Sequence, residues 1–339
     1  MKNFLILIIL ISIPFVSYAG DPTRKGTAGA DELLIPVGAR SIATGGAFIS
    51  TISGVEAIYY NPAGLDLMNG SEAMFSYMNY IADINIAYFA IGTRLGDLGS
   101  LALDYKSLNF GDIPITTVNN PDGTGQTYSP SYIVVGLTYS KVLTDRVSAG
   151  TSVKFIHEGI MNTSADGWAM DFGVQYRFKS NLAIGAAVKN IGSNMEFTGE
   201  QLTTRTNVPG SALGSGSGSY VADTEPFEIP SYFELSVSYL AQINEENSFQ
   251  MATFFRNNNS LEDLMGVGGE YSFMNTFFVR GGYDFLLQNN ADYIYDFTAG
   301  AGIKYNTASG VDFVFDYAYR NVKEFSSPNH IFTVKIGIE

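Results

Sequence analysis

From Trp168 to Lys179 every second side chain is large and apolar. Trp168, Met170, Phe172, Val174, Tyr176 and Phe178 form one set, and Ala169, Asp171, Gly173, Gln175, Arg177 and Lys179 form the other. A strand sends successive side chains to opposite faces. This stretch therefore makes a strand with one apolar face and one face carrying charge of both signs. Strands of soluble sandwiches average about five or six residues, whereas about eleven, tilted near 40°, cross the ~25 Å apolar band of an outer membrane. A soluble sandwich would also have to solvate a face of long aromatic side chains on every strand.

The pattern recurs. Fourteen strands are predicted, over 72–82, 84–95, 98–108, 130–143, 145–158, 166–179, 181–191, 231–243, 246–257, 263–273, 275–286, 294–305, 310–321 and 329–338. An even number suits a single-chain bacterial barrel with both ends in the periplasm. Connections after the even strands read as tight turns, such as Gly96-Asp97, Thr144-Asp145 and Met274-Asn275. Those after strands three, five, seven, nine, eleven and thirteen read as longer, with 109–129 and 192–230 the longest. Strands one and two are the exception, joined only by Ala82-Asp83. The expected fold is an all-β, 14-stranded antiparallel transmembrane barrel, with the barrel proper over 72–339.

The faces repeat as well. Strand thirteen turns Val311, Phe313, Phe315, Tyr317 and Tyr319 one way and Asp312, Asp316 and Arg320 the other, and the last strand turns Phe332, Val334, Ile336 and Ile338 outward. Asp171, Arg177, Arg280, Asp284, Asp316 and Arg320 are thereby predicted to face the lumen. Their mixed signs favour an ion-pair network that braces the barrel over a selective pore, which would show a ring of one sign.

Ahead of the strands, Lys2, an apolar run from Phe4 to Val16 and Ser17-Tyr18-Ala19 read as a secretory signal, residues 1–19, cleaved after Ala19. The run is shorter than the roughly 20 residues of a spanning helix. The reading places the protein in the outer membrane of a Gram-negative-type envelope, in contact with its lipid. The chain has no Cys, so neither disulfides nor a lipidated N-terminal cysteine is available. A formal net charge of −14 argues against nucleic acid as a partner. Residues 20–71 lack a long alternating run, and structureless stretches of that length are uncommon. A fourteen-stranded barrel has a lumen too wide for its own side chains, so the segment is placed inside it as a plug.

Leu34-Ile35-Pro36-Val37-Gly38-Ala39-Arg40-Ser41, Gly45-Gly46-Ala47-Phe48 and Glu56-Ala57-Ile58-Tyr59-Tyr60-Asn61-Pro62-Ala63-Gly64-Leu65 resemble the N-terminal signature of the PorV/PorQ family, itself similar to the FadL-type fatty-acid transporters. The resemblance implies a fourteen-stranded barrel plugged by its N-terminal segment. It makes Asn61, Pro62, Ala63 and Arg40 the plug-motif residues and a candidate ligand gate. In FadL-type proteins the Asn-Pro-Ala element lies against an inward kink of strand three, beside a lateral window. Here strand three reads as regular over Leu101 to Leu108, with the breakers Gly111 and Pro114 only after it. PorV-like members act in type IX secretion and hold cargo through outer loops. From the residues alone, Asn61-Pro62 is equally a turn or helix start, because Pro fixes its own φ and biases Asn61 away from helix.

His157 and His330 are the two histidines, with no metal-ligand spacing, and neither an enzyme nor a cofactor is expected. Three roles follow. The first is a secretion accessory whose loops bind a translocon or exported cargo protein. The second is a FadL-like channel for a hydrophobic small-molecule ligand, with an apolar pocket at the outer mouth lined by Phe197, Phe227 and Tyr232. The third is a purely structural barrel.

Overall fold

The structure, a computed structural model, describes residues 26–207, 212, 217–325 and 327–338. The expected signal at 1–19 lies outside the described residues, as do residues 20–25.

All fourteen expected strands form: β1 Ser71–Asn79, β2 Asn85–Arg94, β3 Ser100–Asn109, β4 Ser131–Val142, β5 Val147–Ile160, β6 Thr163–Arg177, β7 Leu182–Gly192, β8 Tyr232–Gln242, β9 Asn247–Asn258, β10 Leu264–Phe273, β11 Phe277–Leu286, β12 Tyr295–Asn306, β13 Val311–Val322 and β14 Asn329–Ile338. Each pairs antiparallel with the next. β14 returns to β1, with Ser71 opposite Ile338 and Asn79 opposite His330, and this pairing closes the ring. Closure leaves no unpaired edge, the condition for a sheet to sit in hydrocarbon.

The two faces separate as the alternation requires. On β6, Trp168, Met170, Phe172 and Val174 are 59, 43, 46 and 46% exposed, while Ala169 and Asp171 between them are 1% exposed. The same outward apolar surface continues around the ring, for example at Phe89, Leu137, Phe233, Phe297, Phe315 and Phe332. So extensive an apolar belt is far beyond what a soluble monomer exposes, and it suits a bilayer. Among the described residues no helix is long and apolar enough to cross a membrane; the strands do it.

One expected long connection is short. β5 and β6, at 14 and 15 residues, run past their neighbours and meet through Met161-Asn162 alone, with Met161 at φ 55°. Thr198-Gly199, from the connection after β7, pairs onto the start of β6 at Thr163-Ser164. The two longest connections, 110–130 and 193–231, each carry a small ribbon: Ile113–Pro114 with Thr127–Tyr128, and Thr203–Asn207 with Ser217–Val221.

The segment before β1 lies inside the ring. It comprises single 3-10 turns at Asp31–Leu34, Gly54–Glu56 and Pro62–Leu67 and two short helices, α1 Ala39–Ala43 and α2 Ala57–Tyr60. Ala39, Ala43, Val55, Ala57, Ala63 and Leu65 are completely buried. Irregular backbone in such a place must find polar partners, and the wall supplies them. Lys106 Nζ donates to the Glu32 and Ile35 carbonyls (2.6 and 2.5 Å), and Gln175 Nε2 donates to those of Ile49 and Ile52 (3.0 and 2.9 Å). Lys189 Nζ donates to the Tyr59 carbonyl (2.5 Å).

Candidate functional site: an outer cavity beside the plug

The plug fills the lumen unevenly. Against β4 to β7 it packs closely, leaving a void of only about 20 Å³ beside Tyr59, Lys154 and Asp171. Asn61 is the N-cap of the 62–67 turn, with Pro62 at the first position of that turn, where Pro's missing N–H costs nothing. Asn61 Oδ1 accepts from the Ala63 N–H (3.2 Å). Its Nδ2 donates to Ile49 O (3.0 Å) and to the wall carbonyls of Val174 (3.2 Å) and Ala186 (3.5 Å). Ser140 Oγ donates to the Ala63 carbonyl (3.1 Å). The wall opposite is glycine because nothing larger fits: a Cβ on Gly173 would strike Asn61 Oδ1, and one on Gly150 would strike the Pro62 carbonyl group. Asn61, Pro62 and Ala63 are thus placed as a structural clasp, with the side chain of Asn61 wholly buried.

Arg40 stands apart from that clasp. It lies on α1, which packs on the other wall, β11 to β14. A row of small inward residues makes room there. Ala252 lies opposite Gly268 and Gly268 opposite Gly282, while Gly300 lies opposite Ala318. A Cβ on Gly268 would hit Thr44 O, one on Gly282 the Gly45 amide, and one on Gly300 the Ala43 side chain. Arg40 reaches Glu270 with Nε and Nη2, both at 3.0 Å. Glu270 also accepts from Arg280 (2.5 Å), and Arg280 donates onward to Asp316 (2.5 Å).

Above and below this seat the lumen is hollow. Toward the long-loop end is a cavity of about 440 Å³, lined by plug residues Ile42, Gly46, Tyr59 and Tyr60 and by wall and loop residues that include Phe254, Leu264, Leu286, Tyr293 and Tyr295. Toward the short-turn end is one of about 670 Å³, lined by charged side chains that include Glu72, Glu270, Lys304 and Asp312. The upper cavity is mainly aromatic and aliphatic, with two cations at its wall. The Arg256 guanidinium lies 4.5 Å from the Tyr232 ring centroid and pairs with Glu234 at 3.0 Å. Arg320 lies 3.4 Å from the Tyr295 centroid and 3.6 Å from Asp284. The ladder between β11 and β12 ends at Tyr283 opposite Phe297, so Asp284, Leu286 and Tyr295 flank the mouth.

Most of the expected lumen charges sit where the alternation puts them. Asp171 takes Lys154 and Lys189 at 2.7 and 2.5 Å, and Arg280, Asp284, Asp316 and Arg320 stand in the pairs above. Arg177 does not. It ends β6 at the short-turn rim, exposed to solvent, because the strand stops there and leaves no wall around it. The pocket expected from Phe197, Phe227 and Tyr232 also does not exist as drawn. Phe197 and Phe227 stack with centroids 5.7 Å apart and close over a filled cluster that includes Ala30, Leu33, Ile156, Met195 and Ile229. The Met195 and Phe227 backbones exchange hydrogen bonds (2.9 and 2.8 Å), which fold the long connection inward as a cover. Tyr232 is on another strand, under Arg256, and none of the three lines the upper cavity. Of the cavity residues that sequence reasoning missed, Phe254 and Leu264 have an inward-parity signal, being large side chains on a face otherwise polar or small; Tyr295 shares the outward parity of Phe297 and reaches the cavity through the register shift between Tyr295 and Thr298.

β3 is straight and fully paired, Ser100 to Asn109, with β2 on one side and β4 on the other. It offers no kink and no lateral window. The one interruption in the ladder of the packed wall lies between β6 and β7. There Lys189 and Asn190 both turn inward opposite Asp171, and the Asn190 N–H donates to Asp171 Oδ1 (2.8 Å). In the plug, burial and then the charge of Glu158 push the Glu32 carboxyl up to about 8.

No family model matches the chain, and no curated protein matches it in sequence. Its fold is similar to that of three solved structures. The CymD monoaromatic hydrocarbon channel is 13% identical over 89% of this chain and 97% of that one, with a TM-score of 0.56. The Pseudomonas putida toluene transporter TodX is 14% identical over 89% and 96%, with a TM-score of 0.55. A Pseudomonas aeruginosa FadL homologue is 12% identical over 89% and 98%, also at 0.55. At these identities the likeness is one of fold: a closed fourteen-stranded barrel of the FadL-like kind. They are described as a channel, a transporter and a FadL homologue, and none is described as an enzyme. None is described as a PorV- or PorQ-type protein or as part of a secretion system.

Proposed function

We propose, from a barrel shared with hydrocarbon and FadL-type channels, that this chain is an outer-membrane conduit for small hydrophobic molecules. The observation that carries the reading is the aromatic and aliphatic cavity of about 440 Å³ at the long-loop end. Its size falls within the range of small-molecule sites, and its aromatic and aliphatic lining is interrupted by the charged Asp31, Arg256, Glu262, Asp284 and Arg320. Tyr80 and Tyr295, joined by their hydroxyls at 2.8 Å, stand at its rim. Asn61, Pro62 and Ala63 serve this function as the fixed clasp that keeps the plug in place. The lumen charges brace the wall.

Equilibrium binding to the purified barrel in nanodiscs, with toluene and oleate as separate probes, tests the proposal. Saturable binding of either that is abolished by Leu264→Trp supports it. Absence of saturable binding by both overturns it. A secretion role would instead use the connections 110–130 and 193–231, and its signature is an exported protein recovered with the barrel from intact outer membranes. No structural observation favours that second reading over the cavity.

A further inference from the structure

We infer that α1 is the movable barrier between the two cavities, that Arg40 is its latch on Glu270, and that the path past it runs down the barrel axis toward the short-turn end. The inference takes its solute from the conduit reading; its moving part stands independently.

Four observations meet here. First, the cavities lie one above the other on the same strands, and the residues between them are the small ones. β9 lends Phe254 and Arg256 to the upper cavity and Gln250 to the lower, with Ala252 between; β11 lends Asp284 above and Arg280 below, with Gly282 between; β13 lends Arg320 above and Asp316 below, with Ala318 between. At β11, β12 and β13 only the thickness of α1 and its following turn fills the gap.

Second, α1 has hinges at both ends. Gly38 precedes it at φ 81°, and Gly45 and Gly46 follow at 64° and 74°. These are left-handed positions where glycine turns without strain, and hinges absorb their motion at such element ends. Third, its polar attachment to this wall is sparse; the remaining ties are the apolar packing of Ala39, Ile42 and Ala43 with Ala318 and Ile331 and, within the plug, the bonds from Ser41 N and Oγ to Glu56 (3.0 and 2.6 Å), which motion of α1 must also break. Besides Arg40 it has two hydrogen bonds to the wall, Ala39 N to Thr333 Oγ1 (2.8 Å) and Thr298 Oγ1 to Ala43 O (3.0 Å). The clasp at Asn61 belongs to the opposite wall and need not move.

Fourth, the latch opens without leaving Glu270 unpaired, although Arg280 then serves two carboxylates alone. When Arg40 leaves, Glu270 keeps Arg280 and Arg280 keeps Asp316. The Arg40 side chain, 28% exposed, already borders the lower cavity. Breaking a buried pair is costly when one partner is left alone, and this arrangement avoids that.

KCl current through the full-length barrel in a planar bilayer tests the idea without any knowledge of the solute. Arg40→Ala, and independently Glu270→Gln, should raise open probability by roughly tenfold, the shift expected when one such contact stops favouring the closed state. The chain has no Cys, so the double variant Arg40→Cys, Glu270→Cys carries the only thiols. Bridging them with a bifunctional methanethiosulfonate should silence the current, and dithiothreitol should restore it. If the bridged barrel conducts like the unbridged one, or if both single variants, closed as barrels on unheated gels, conduct no more than the parent, the latch is overturned. Loss of toluene and oleate binding with these currents intact would remove the proposed solute and leave the moving barrier standing.

Discussion

The two walls of this barrel treat the same plug differently. β4 to β7 grip it through directed contacts: Asn61 to two strand carbonyls, Gln175 and Lys189 to plug carbonyls, and glycines that admit no Cβ. β9 to β13 meet it across a row of small residues, with one ion pair, hydrogen bonds from Gln250 to Thr51 and from Thr298 to the Ala43 carbonyl, and open volume on either side. Both walls belong to one closed ladder. The difference therefore lies in which inward positions carry long polar side chains. Where they are long and paired the lumen is nearly filled, and where they are glycine or alanine a helix rests on few polar ties.

The sharpest way to break the contrast is at Asp171, which neutralises both Lys154 and Lys189 in the packed half. Asp171→Ala leaves two buried ammonium groups without their carboxylate, a loss of about 3–5 kcal/mol by analogy with other buried pairs. It should appear as a lower urea midpoint for the refolded barrel. An unchanged midpoint would mean the packed half is not held by its charges. Next in size is Asn61→Ala, which removes a cap and orphans carbonyls on both sides of the seam, at about 1–3 kcal/mol. The same urea titration reads it, and a change below the noise would reduce the clasp to a packing accident.

In the hollow half the expectation reverses. Leu286→Trp puts bulk into the upper cavity and should abolish probe binding while shifting stability less than either change above, because Leu286 is only partly buried where it packs against the Phe48 and Phe254 cluster. Intact binding would place the ligand elsewhere. The smallest effect is one of pH. Glu32 has its folded pKa raised, by burial first and Glu158 second, to about 8. A carboxyl raised in this way favours the folded plug while it is neutral, and that contribution is lost as pH rises through about 8. The loss runs from the ordinary value of 4.5 up to about 8, so proteolysis of the plug should quicken across that window and level off above it, and Glu32→Gln should flatten the profile. A flat profile in the parent would remove Glu32 as the titrating group.

Much of the fold was legible because strand alternation is a local property. Each of the fourteen strands shows in its own ten or so residues, and Asn61-Pro62 shows as a turn start for the same reason. The upper cavity was less legible. Phe197 and Phe227 are aromatics in a long connection, and nothing local says whether such a side chain lines a void or fills one. The seat of α1 was hidden by register. Ala252, Gly268 and Gly282 are unremarkable in their own strands and become a row only when the ladders align them. The ends of β5 and β6 that meet at Met161-Asn162 were expected at 158 and 166 and lie at Ile160 and Thr163, because they continue past the apolar belt, where alternation no longer marks the boundary.

The seam between β1 and β14 limits how the plug can enter. The plug runs directly into Ser71 at the start of β1, and β14 is the last strand to be made. Once those two strands zip together the wall offers no side entrance. A segment joined directly to the first strand then has either to be enclosed as the sheet curls or to fold back through an open end of the ring.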